Sequence, residues 1–87
     1  MTDAHISQIE QLRQAIQAKR DRCVAINYRA IEIRHELAYM NDKELANASI
    51  ELSKLRRELF AHEMYIQKAQ KKINEFYRNP IREDVEA

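Results

Sequence analysis

The sequence predicts an all-α fold, a long antiparallel hairpin of two coiled-coil-like helices that dimerises into a four-helix bundle. Mostly apolar residues recur at alternating steps of three and four in both halves of the chain, the spacing that lines helices packed side by side. The 87 residues include no Gly and one Pro, which suits uninterrupted helices and leaves few tight turns for a sheet. The chain is short enough to form one domain that gains from a partner.

These regularly spaced positions are called the seam, and each half of the chain contributes ten of them. In the first half they are Ile9, Leu12, Ile16, Lys19, Cys23, Ile26, Ala30, Ile33, Leu37 and Met40. In the second half they are Leu45, Ala48, Leu52, Leu55, Leu59, His62, Ile66, Ala69, Ile73 and Phe76.

Capping residues place the two helices at about 3–39 and 42–78. Thr2 or Asp3 can cap the first. The seam slips by one residue after Met40, where Asn41 can cap a second helix while Glu44 reaches back to the cap amide. Residue 79 precedes a proline, which disfavours helical geometry there. Residues 1–79 therefore form the hairpin, and the acidic segment 80–87 is interpreted as a flexible tail or a docking arm.

Antiparallel folding pairs seam residues whose numbers sum to 85, such as Ile26 with Leu59. At the edges of the seam this folding is expected to bring Arg29 near Glu58 and Arg20 near Glu63. The alternative is one helix of some 75 residues that dimerises along its length, with the slip as a local irregularity. The cap at Asn41 favours the hairpin.

Cys23 and His62 face each other in this pairing, but two ligands fall short of the three or four that zinc sites use. The sequence also has no glycine-rich phosphate loop and no nucleophile with its full catalytic set. We therefore expect no catalytic residue, no metal and no cofactor, and a non-enzymatic function.

One stretch resembles an enzyme family. Residues 12–16 (Leu-Arg-Gln-Ala-Ile), with Cys23, Val24 and Arg29, are similar to the opening of the all-helical chorismate mutases, whose first helix supplies an arginine to a dimeric active site. Gln17 and Arg20 stand where that family has acidic residues, and the chain supplies no third helix. We therefore assign none of that family's active-site residues to this sequence. A chorismate-mutase-like enzyme is kept as a remote alternative.

Basic residues gather where the two ends of the hairpin meet. Residues 1–22 and 63–79 hold eight Lys or Arg against five Asp or Glu, although the whole chain has a net charge of +1. Possible nucleic-acid contacts are Lys19, Arg20, Arg22, Lys68, Lys71 and Lys72. A dimeric nucleic-acid-binding regulator is therefore the alternative function; in plan it would resemble plasmid copy-control hairpins that grip RNA.

Six apolar residues lie off the seam at helical spacing and are called the off-seam set: Val24, Tyr28, Ile31, Ile50, Phe60 and Met64. Aligned apolar groups on both helices indicate an interaction surface. The favoured function is a non-catalytic protein–protein interaction module, an adaptor, inhibitor or assembly factor. It is expected to be a homodimer that also binds another protein. No apolar stretch approaches the roughly 20 residues that span a bilayer, so a cytoplasmic setting without membrane contact is expected.

Overall fold

A computed structural model describes residues 2–78 and confirms the helical hairpin. Helix α1 spans Asp3–Glu36, a 3₁₀ turn covers Leu37–Tyr39, and helix α2 spans Asp42–Arg78. The two helices pack against each other along their length, giving a rod of 68 × 14 × 14 Å. The single long helix is therefore excluded as the fold of the chain. The proposed acidic tail, 80–87, lies outside the described residues.

Side-chain caps begin both helices. The backbone N–H of His5 donates to Thr2 Oγ1 at 3.2 Å. At the second helix Glu44 N–H donates to Asn41 Oδ1 at 2.9 Å, while Asn41 N–H donates to Glu44 Oε1 at 3.3 Å. This reciprocal pair is a capping box, which satisfies two backbone donors that an α-helix leaves without partners. The cap predicted at Asn41 is confirmed.

The turn reverses the chain without glycine. Where the sequence extends the first helix to residue 39, the structure tightens the last turn into the 3₁₀ segment, and Met40 N–H bonds Leu37 O at 3.3 Å. Such tightening satisfies carbonyls that the end of an α-helix leaves unpaired. Met40 is extended, and no residue among 2–78 has a positive φ angle. The reversal therefore takes place in ordinary backbone conformations.

The seam forms the core. Ile26 and Ile33 are the most deeply buried side chains, with exposed fractions of 2% and 1%. Near the chain ends Ile9, Ile16, Ala69 and Ile73 form one cluster, and Leu12 and Phe76 pack against it. This cluster contains the pairs Ile9 with Phe76, Leu12 with Ile73 and Ile16 with Ala69, whose numbers sum to 85. Every seam residue is at least partly buried except Leu45, which is 39% exposed beside the turn. The seam predicted from the 3,4 spacing is thus confirmed.

The flanking ion pairs differ from the prediction. Arg29 pairs with Glu51 instead of Glu58, and Glu58 pairs with Arg22. Both observed pairs have numbers that sum to 80. Facing residues on this flank precede the seam partners by one residue on one helix and by four on the other, so their numbers sum to 80. Arg29 and Glu58 sum to 87, so the predicted pair is out of register by one heptad. The predicted pairing of Arg20 with residue 63 fails for the same reason, and no ion pair joins them among residues 2–78.

Neither α1 nor α2 contains a window of residues apolar enough to cross a lipid bilayer, in the part of the chain that the structure describes.

Candidate protein-binding site

One flank of the seam, called the bridged side, carries two ion pairs between the helices, and a hollow of about 210 Å³ lies beside Arg29 and Glu51 toward the turn. Arg22 donates from Nε to Glu58 Oε2 at 2.5 Å and from Nη2 to Oε1 at 3.0 Å. Arg29 donates from Nε to Glu51 Oε2 at 2.7 Å and from Nη2 to Oε1 at 3.1 Å. Each guanidinium thus holds both oxygens of a carboxylate, the geometry that arginine provides and lysine does not. These two arginines are therefore paired within the hairpin.

These bridges shift the titration of their members. The hydrogen bond from Arg22, followed by that of His62, lowers the pKa of Glu58 to about 2. The hydrogen bond from Arg29 lowers the pKa of Glu51 as well. Both carboxylates are consequently ionised in the folded chain over the ordinary pH range, and the bridges persist there.

The other flank, called the groove side, has no ion pair between the two helices among residues 2–78. A cavity of about 150 Å³ lies between the helices. Its floor is made of the seam residues Ile26, Ala30, Leu52, Leu55 and Leu59, and Asn27, Arg34 and Arg56 stand at its margin. The methyl group of Ala30 is small where most neighbouring seam positions carry Ile or Leu. We attribute the depth of the groove to that missing volume.

Two arginines face each other across the groove. Arg34 of α1 and Arg56 of α2 both line the groove, and their numbers sum to 90. Arg13 and Tyr77, whose numbers also sum to 90, are joined across the helices by a 2.7 Å hydrogen bond. Neither Arg34 nor Arg56 has an ion pair with any residue between 2 and 78. The groove therefore combines an apolar floor with two positive charges that have no ion pair within the described part of the chain.

The off-seam set is exposed throughout, with exposed fractions from 37% for Met64 to 66% for Tyr28. By helical register Val24, Ile31 and Phe60 lie next to the groove side, whereas the other three lie on the outer faces of the helices. Half of the predicted interface residues thus lie on the flank that carries the groove, although none of them lines it. The structure leaves Ile50 apart, beside a shallow hollow lined by Ser49, Ser53, Lys54 and Arg57.

Cys23 and His62, which face each other in the seam pairing, lie partly buried in the core, and His62 contacts one neighbouring carboxylate. Cys23 is a partly buried free thiol. His62, with 16% of its side chain exposed, bonds through Nε2 to Glu58 Oε2 at 2.9 Å. No group of three or more His, Cys, Asp or Glu side chains among residues 2–78 is placed to hold a metal ion.

The six basic residues predicted to contact nucleic acid do not share one face. Arg22 is engaged with Glu58, and the Lys19 ammonium lies 5.2 Å from the centre of the Tyr65 ring. By register Arg20 lies on the groove side, whereas Lys68 and Lys72 lie toward the bridged side and Lys71 on the outer face. The arrangement spreads positive charge around the open end of the hairpin.

Sequence reasoning missed Arg34 and Arg56 as site residues. Their signal was present: both flank the seam at positions that face each other, and both carry the same charge. It was missed because the facing residues on both flanks were assigned one heptad out of register.

This geometry defines the chain as a helical hairpin. No protein-family model, curated protein or solved structure matches the sequence or the fold.

Proposed function

We propose that this protein is a non-catalytic protein–protein interaction module that binds other chains through its off-seam set and groove side. The observation that carries the proposal is the exposure of six large apolar side chains, three of which lie on the groove side by helical register. Apolar surface of this kind, aligned on both helices and flanked by charge, is typical of docking surfaces. An adaptor, an inhibitor or an assembly factor would use it in the same way.

Self-association is the form of this function that can be tested on the protein alone. Two hairpins that cover each other's apolar faces make a four-helix bundle. Burial of side chains of this size contributes about 1.5 to 3 kcal/mol each, and a symmetric dimer uses each patch twice. A homodimer is therefore part of the proposal.

Multi-angle light scattering on a size-exclusion column tests it. We expect the native protein at micromolar concentration to show twice the 10.4 kDa chain mass. Phe60→Asp combined with Met64→Asp should give the monomer mass, since it puts two charges into the apolar patch. Lys71→Glu with Lys72→Glu, which changes two exposed residues outside that patch, should leave the dimer intact. A native monomer refutes the homodimer, and a dimer that survives the paired Asp substitutions refutes this choice of face.

A further inference from the structure

We propose that the groove between Arg34 and Arg56 binds an acidic amphipathic helix of a different protein. The inference rests on the proposed function, because the groove is part of the same protein-binding surface. It adds the chemical class of the partner: apolar side chains for the floor, and carboxylates for the two arginines.

The floor of the groove indicates what the apolar face of the partner contacts. Four of its five floor residues are only partly buried, whereas Ile26 is buried at 2% exposure. By helical register Val24, Ile31 and Phe60 add exposed apolar surface on either side of it. A third helix laid along the groove would place its own seam residues against this surface, as in a three-helix bundle. Helices bind grooves in this way through residues spaced by three and four.

The two arginines indicate the charge of the partner. On the bridged side, Arg22 and Arg29 of α1 each form an ion pair with a glutamate of α2. On the groove side, the residue of α2 that corresponds to Arg34 is another arginine, Arg56. Like charges at facing positions are unfavourable for the hairpin itself. A helix with carboxylates on both sides of its apolar stripe would pair with both arginines at once, and desolvated pairs of this kind fix orientation and specificity.

A second copy of this chain fits the groove less well. Its groove-side flanking positions carry four arginines and one glutamate: Arg13, Arg20, Arg34, Arg56 and Glu63. Two groove sides laid face to face would therefore repel each other, so the homodimer proposed above has to pair the outer surface of α2 around Met64 and leave the groove free. Nucleic acid is also a poorer match, because phosphates pair with arginines but leave the five apolar floor residues without contacts.

Fluorescence anisotropy tests the inference with labelled probes of stated chemistry. The first is a peptide about three heptads long, with Leu on its apolar stripe and Glu on both flanks. The second has Lys in place of every Glu, and the third is a short RNA duplex. We expect the full-length native protein to bind the Glu peptide, to bind it more weakly as salt rises from about 0.05 to about 0.5 M, and not to bind the Lys peptide.

The decisive variant is Arg56→Glu, with Arg57→Glu as its matched control. The two variants make the same charge change at neighbouring exposed residues, but only residue 56 lines the groove. Arg56→Glu should weaken binding of the Glu peptide at least about tenfold, and Arg57→Glu less than about threefold. Circular dichroism recorded on the same samples verifies that both variants are folded.

Three results with the peptides overturn the inference: no binding of the Glu peptide, equal binding of the Glu and Lys peptides, or an equal loss of Glu-peptide affinity in Arg56→Glu and Arg57→Glu. A fourth result also overturns it: the protein binds the RNA duplex but not the Glu peptide, and Arg56→Glu abolishes the RNA binding. The last result would assign the groove to phosphates. The outcome is separable from that of the proposed function. If the Glu peptide fails while light scattering gives the dimer, the interaction module stands and only the choice of partner falls.

Discussion

Arg22 and Glu58 are joined by two parallel hydrogen bonds across the seam, and the same carboxylate also accepts a bond from His62 one turn further along α2. Glu58 therefore links α1 to α2 and braces α2 internally. The Glu58 carboxylate thus accepts three hydrogen bonds, two from the other helix and one from its own, near the middle of the hairpin.

The hairpin is expected to lose stability in acid as these bridges are protonated. The pKa of Glu58 falls from its usual 4.5 to about 2 on folding, chiefly through the bond from Arg22. A lowered folded-state pKa means that the unfolded chain binds the proton first, so the stabilisation is complete above pH 4.5 and is lost as the pH falls toward 2. Glu51, whose pKa is lowered by Arg29, adds in the same direction.

Urea unfolding followed by circular dichroism at several pH values measures this dependence. Glu58→Gln should unfold at lower urea than the native protein at neutral pH, and its stability should fall less steeply in acid. Glu75→Gln, at an exposed position without an ion pair to any residue among 2–78, is the control. Parallel pH profiles for the native protein and Glu58→Gln would contradict the assignment.

The capping box at the start of α2 should carry a measurable share of the stability. Asn41→Ala removes the side-chain acceptor for Glu44 N–H and is expected to lower the free energy of unfolding by about 1 kcal/mol. Asn47→Ala, inside the same helix, should have little effect or a slightly stabilising one, since alanine has the higher helix propensity. Equal losses in the two variants would show that the cap contributes nothing specific.

Arg56→Glu should stabilise the hairpin. It converts the facing pair of arginines into an arginine and a glutamate, and exposed pairs of opposite charge contribute about 0.2 to 1 kcal/mol. Urea unfolding should therefore give a higher midpoint for Arg56→Glu than for the native protein, and no comparable gain for Arg57→Glu. A lower midpoint would mean that Arg56 stabilises the fold through a contact other than those described.

Filling the groove should also stabilise the hairpin. Ala30→Leu adds methylene and methyl groups where a cavity of about 150 Å³ is available, with an expected gain of about 1 to 2 kcal/mol in the free energy of unfolding. Ala69→Leu adds the same atoms at a buried position in the core cluster and should cost about 1 to 3 kcal/mol through overpacking. A loss in Ala30→Leu similar to that in Ala69→Leu would show that the groove cannot accept the side chain.

The parts of the fold that depend on local signals could be predicted from the sequence. Asn41 and Glu44, three residues apart, predict the start of the second helix. The 3,4 spacing of apolar residues predicts which side chains form the core. The ion pairs could not be assigned with one pairing rule, since Arg29 and Glu51 lie on a flank where the offset differs from that of the seam. The groove depends on the volume of Ala30 relative to its neighbours on both helices, which spacing alone does not encode.

The ends of the two helices lie together at the end of the rod away from the turn, and this determines how the hairpin responds to force. A pull applied between Thr2 and Arg78 loads first the ring contact of His5 with Phe76, whose centres are 5.2 Å apart, and then the cluster around Ile9 and Ile73. The layers separate one after another, as in a zipper, and the capping box at Asn41 opens last. Such a hairpin yields at low force from its ends while its turn, the point from which the helices can close again, stays formed.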